Sequence, residues 1–129
     1  MYSEKVMQIF AHPKNVGIIK NADAVGEVEN TLSGDVLKLY LSVDIDTIAE
    51  VKFKAFGDPY TIACMSVLTG MLKDQNIDTI NTFNSETVLN YLGEIPKEQE
   101  YLVGLINDLL ADTLKDYNKK LQKLSEFNE

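Results

Sequence analysis

From residue 25 onward the hydrophobic period changes once, near residue 57, and that change limits the fold more than any other feature. Before it, Leu37, Leu39, Leu41 and Val43 alternate with Val36, Lys38, Tyr40 and Ser42. A period of two puts alternate side chains on opposite faces, so this segment reads as a strand with one apolar face. Val51, Phe53 and Ala55 alternate with Lys52 and Lys54 and predict a second strand. Residues 25–32 predict a third, weaker strand, with Val28, Asn30 and Leu32 opposite Glu27, Glu29 and Thr31. The connections, Ser33-Gly34 and Asp44 to Thr47, are short enough for antiparallel hairpins.

After the change the period is helical. Asp58-Pro59 combines a favoured N-cap with a favoured first helical residue. Residues 60–72 are apolar almost all round, which predicts a buried helix. Residues 85–92 predict a short helix ended by Gly93. Residues 97–124 predict the longest one. Its Leu102, Leu105, Ile106, Leu109, Leu110, Leu114, Tyr117, Leu121 and Leu124 share one half of the wheel, and Asp108, Asp112, Lys115 and Lys119 lie opposite. A further short helix is expected at 4–10, capped by Ser3 and stopped by Pro13, with residues 14–26 as a loop. Strands first and helices after them predict an α+β fold, a three-stranded antiparallel sheet with helices on one face and a long C-terminal helix. With 129 residues, a single domain over 1–129 is expected.

Charge and cysteine content narrow the function classes. The formal net charge is −8, and all 12 basic residues are Lys. An acidic chain without Arg is a poor candidate for nucleic-acid binding. Residues 1–20 are nevertheless net positive, with Lys5, Lys14 and Lys20 against Glu4, which suits a charged protein partner as well as solubility. No apolar stretch is long enough to span a membrane. The first residues lack a signal-peptide pattern, so a cytoplasmic location is expected. One cysteine, Cys64, and one histidine, His12, cannot supply the roughly four soft ligands that a zinc site or a thiolate-held cluster needs. Nothing in the chain combines a nucleophile, a base and an orienting group, so enzymatic activity is not expected.

Several segments together resemble the IscU/NifU N-terminal type of iron–sulfur cluster assembly scaffold. Tyr2-Ser3-Glu4-Lys5-Val6 is similar to the family's opening, and His12-Pro13-Lys14-Asn15-Val16-Gly17 to its Pro-Arg-Asn-x-Gly loop. Ser33-Gly34-Asp35-Val36-Leu37-Lys38-Leu39 resembles its Cys-Gly-Asp segment. Phe53-Lys54-Ala55-Phe56-Gly57 resembles the strand before its second cysteine, and Leu68-Thr69 to Lys73 and Asp116-Tyr117 continue the match. The resemblance covers nearly the whole chain. It implies an IscU-like sandwich, a non-enzymatic role in iron–sulfur assembly, a [2Fe-2S] cluster or iron as cofactor, and a cysteine desulfurase or an intact scaffold paralogue as partner.

The departures fall on the ligands that the resemblance implies. Ser33 stands at the first cysteine position, Asp58 at the second, and Tyr101-Leu102 at the His-Cys pair. Asp35 alone is kept. The chaperone-recognition stretch falls on Ile95-Pro96-Lys97-Glu98-Gln99 and is mostly eroded. Iron with bridging sulfide favours thiolates, so no cluster is expected on this chain's own ligands. Asp35 and Asp58 remain candidates for a metal ion or a small ligand.

Each candidate also has a plain structural reading. Asp58 reads as the N-cap before Pro59, and Ser33-Gly34-Asp35 as a turn. Cys64 reads as a small core residue with an inert thiol. His12 reads as a loop residue, Leu102 as part of the apolar stripe and Tyr101 as its edge.

Overall fold

The computed structural model describes residues 2–128. Helix α1 spans Glu4–Ala11 and starts where the Ser3 hydroxyl accepts the Val6 N–H at 3.2 Å. Strands β1 (Ala24–Glu29), β2 (Val36–Asp44) and β3 (Thr47–Phe56) form one antiparallel sheet in the order β1-β2-β3. Helices α2 (Pro59–Leu72), α3 (Glu86–Tyr91) and α4 (Tyr101–Asn128) follow. Leu41 pairs with Val51, Leu39 with Phe53 and Leu37 with Ala55, so the alternation read in the sequence is the register of the sheet. Leu37, Leu39, Leu41, Val51 and Phe53 are buried. Among the helices, α2 packs on β3 and α4 on β1. Helix α2 is buried on most of its circumference, including Tyr60, Ala63, Cys64, Met65, Leu68 and Leu72. Among the described residues no helix is long and apolar enough to cross a membrane.

The structure corrects several boundaries. The weak strand expected over 25–32 runs from Ala24 and stops at Glu29. Asn30 ends it, because its side chain accepts the N–H groups of Leu32 and Ser33 in a turn, and Leu32 is 99% exposed rather than on an inner face. The helix expected over 97–124 begins as a 3₁₀ turn at Lys97–Gln99 and becomes α-helical at Tyr101. Its Leu121 and Leu124 are exposed, because among the described residues nothing covers the helix over 121–127, all of which are exposed. A 3₁₀ segment at Ile77–Thr82 lacked a legible period. Part of the expected loop is also ordered by pairing. Asn15 and Gly17 exchange backbone hydrogen bonds with Phe53 at 2.8 and 2.9 Å, laying this segment along the edge of β3.

Candidate functional site

The hairpin turn, the start of α2 and the start of α4 meet at one end of the sheet. Asp35 enters β2 from the turn and is 3% exposed. Asp58 caps α2, accepting the Thr61 N–H at 3.0 Å on Oδ1, so the capping role read from Asp58-Pro59 is present. Between the two acids stands the Thr61 hydroxyl, 3.0 Å from Asp35 Oδ1 and 3.1 Å from Asp58 Oδ1. A hydroxyl carries one proton, so Thr61 joins the two carboxylates by a donor that only one can use fully at a time.

The remaining carboxylate oxygens are also engaged. Asp35 Oδ2 accepts from the Ser33 hydroxyl at 2.6 Å and from the Tyr101 hydroxyl. Asp58 Oδ2 accepts from the Tyr2 hydroxyl at 2.6 Å and from the Gln99 amide at 3.1 Å. Room for this packing depends on Gly57, where a Cβ would collide with Asp35 Oδ1 and lie 2.9 Å from Thr61 Cγ2. Both ion pairs among the described residues, Lys73–Asp74 and Lys120–Asp116, lie elsewhere. The site therefore holds two carboxylates against neutral donors.

These donors set the protonation states. Burial by itself would raise the Asp58 carboxyl, but hydrogen bonds from Tyr2, the Thr61 N–H and Gln99 hold it below the usual carboxylate range. The same bond, with burial, pushes the Tyr2 phenol up to about 12. Burial, then the bond to Asp35, raises the Tyr101 phenol. Both phenols are thus proton donors at neutral pH. Among the described residues, Gln99 Oε1 at this site is a buried acceptor without a protein partner.

Of the residues singled out in the sequence, Ser33, Asp35, Asp58 and Tyr101 are brought together. Leu102 is fully buried in the core. Cys64 is 1% exposed, and burial, followed by the charges of Asp58 and Asp35, pushes its thiol up. His12 ends α1 and is exposed. The sequence reading missed Tyr2, Thr61 and Gln99 as site residues. Only Thr61 had a local signal, its place three residues after the cap.

The chain matches the model of the NifU-like N terminal domain over residues 1–124. It belongs to this family. Among its relatives, the iron-sulfur cluster assembly scaffold protein IscU 1 of Archaeoglobus fulgidus is 36% identical over 129 residues, covering 100% of this chain and 84% of that protein. The scaffold protein IscU of Aquifex aeolicus is 32% identical over 130 residues, covering 99% and 83%. The fold matches the N-terminal NifU-like protein of Brucella abortus with a TM-score of 0.69 at 16% identity, covering 92% of this chain and 94% of that one. The Archaeoglobus and Aquifex relatives are iron–sulfur cluster assembly scaffolds. In this member of the NifU-like family, one cysteine is present in the whole sequence. Among the described residues, no group of three or more His, Cys, Asp or Glu side chains is placed to hold a metal. An iron–sulfur cluster does not fit the convergent side chains, which offer oxygens and an amide but no thiolate.

Proposed function

We propose that this protein is a non-enzymatic member of the iron–sulfur assembly machinery that binds a partner and does not hold a cluster on its own ligands. One observation carries the reading: the positions that the resemblance matches to cluster ligands converge as Ser33, Asp35, Asp58 and Tyr101, with no sulfur among them. The partner role draws on the N-terminal surface. Met7, Phe10, Val16 and Ile18 are exposed apolar side chains there, interspersed with Lys5, Lys14 and Lys20 in a chain otherwise rich in acids. Apolar side chains in a basic setting suit an acidic protein surface, and the proposed partner is a cysteine desulfurase or an intact scaffold paralogue.

The test has two arms. Anaerobic reconstitution with Fe(II) and sulfide, followed by desalting, is expected to leave no visible charge-transfer bands and no retained iron. Biolayer interferometry against the desulfurase and the scaffold paralogue of the same organism is expected to show salt-sensitive binding that Phe10→Asp weakens about tenfold or more, the scale of a lost apolar anchor. A stable coloured protein, or no binding to either partner, overturns the reading. The convergence of Asp35 and Asp58 on Thr61 also supports the alternative, a metal ion or small ligand held by the two carboxylates. Calorimetric titration with Fe(II), Zn(II) and Mn(II) tests that directly.

A further inference from the structure

The polar cluster joins four pieces of chain that are far apart in sequence. Tyr2 lies just before α1. Ser33 and Asp35 form the β1–β2 turn. Asp58 and Thr61 begin α2. Gln99 and Tyr101 begin α4. The links span 56 residues from Tyr2 to Asp58, 26 from Asp35 to Thr61, 41 from Asp58 to Gln99 and 66 from Asp35 to Tyr101. The four pieces are held here by one connected set of hydrogen bonds.

Both carboxylates are engaged within the protein. Each of their four oxygens accepts at least one hydrogen bond, and Oδ2 of each accepts two. A cation entering here would have to displace phenol and hydroxyl donors that already satisfy these oxygens. It would also break the links that carry Tyr2 and Tyr101. Charge-assisted hydrogen bonds to carboxylates are among the stronger neutral-donor contacts in a fold, and a connected network couples its members.

We infer that the Asp35–Asp58 network is a metal-independent polar staple: it closes this end of the molecule by tying the N-terminal segment and the start of α4 to the same pair of carboxylates. Its exclusion of metal rests on the reading above that no cluster is held here, whereas the stapling stands on the hydrogen bonds alone. Two predictions separate these parts. The thermal midpoint of the unmodified protein is the same in EDTA and in excess Zn(II) or Fe(II). Tyr101→Phe, which removes one hydroxyl and keeps the ring, lowers the midpoint by about 3–5 °C, the shift expected from one partly buried hydrogen bond in a chain of this size.

The decisive readout is amide hydrogen exchange on metal-free Tyr101→Phe. A connected staple speeds exchange at Thr61 and in the first turn of α1, although the Tyr101 hydroxyl is bonded to neither. Tyr2→Phe produces the mirror effect at residues 33–35. Both variants keep their far-UV circular dichroism, because only a hydroxyl is lost. Faster exchange confined to the residues beside each substitution overturns the staple. A midpoint raised by Zn(II) or Fe(II), and abolished in Asp35→Asn, overturns the exclusion of metal and supports a carboxylate-held ion instead. Neither result depends on whether a partner protein binds.

Discussion

Gly26 shows how little freedom a single position has where two elements touch. It lies in β1 against α4, and a Cβ there would collide with the Thr113 hydroxyl and lie 2.8 Å from the Thr113 backbone nitrogen. The helix backbone cannot retreat as a flexible side chain would. Gly26→Ala is therefore expected to destabilise the protein by about 2–3 kcal/mol, the upper part of the range for overpacking, measured by urea unfolding. This constraint is not legible in the sequence, since Gly26 lies in a segment recognised as a strand only by weak alternation. At the site the position was better. Asp35 and Asp58 were legible because one follows a turn motif and the other precedes Pro59. Tyr2 and Gln99 were not, because a residue that contributes a single distant hydrogen bond leaves no local pattern.

Helix α4 does more for the sheet than cover it. Among the described residues strand β1 pairs only with β2, so it is an edge strand. Its Val25 and Glu27 N–H groups are free of sheet partners, and they donate to Asp116 and Asp112 at 2.7 and 2.9 Å. The spacing of four on the helix meets the spacing of two on the strand. Asp116 also pairs with Lys120 at 2.8 Å. Burial alone would raise the Asp116 carboxyl, but Lys120 and the Val25 N–H together hold it low. Unsatisfied edge groups invite pairing with other chains. Asp116→Ala is expected to cost about 1–2 kcal/mol, as the loss of a hydrogen bond to a charged group. The double variant Asp112→Ala/Asp116→Ala is expected to add concentration-dependent association, read by analytical ultracentrifugation. The wheel read from the sequence placed Asp112 on the face opposite the apolar stripe. That placement was geometrically sound. A wheel does not show that the edge of another element lies beside that face.

For the whole molecule, the perturbed groups define a window of stability. The Asp58 and Asp116 carboxyls are held low in the fold. Their contribution is present above the unfolded carboxylate value, ~4, and is lost as pH falls through their folded values. The phenols of Tyr2 and Tyr60 are pushed up to about 12, by the Asp58 bond for the first and by burial for the second. Their contribution is complete below the unfolded phenol value, ~10, and is lost as pH rises towards 12. The thermal midpoint is therefore expected to be flat through neutral pH and to fall on both sides. In Asp58→Asn the acid-side fall should be shallower, because the depressed carboxyl is gone. Calorimetric scans across pH check this.

The sequence by itself determined the kinds and order of the strands and α-helices, the buried α2, the caps at Ser3 and Asp58, and the loss of thiolates from the family positions. These are local matters: periodicity, capping and residue identity are decided within a few neighbours along the chain. Tertiary structure alone decided that Leu121 and Leu124 lie beyond any covering element, that Asp112 and Asp116 finish an edge strand, and that Tyr2 shares Asp58 with Gln99. Those outcomes depend on where distant segments pack, and the hydrogen bonds that mark them connect residues 41 to 91 positions apart.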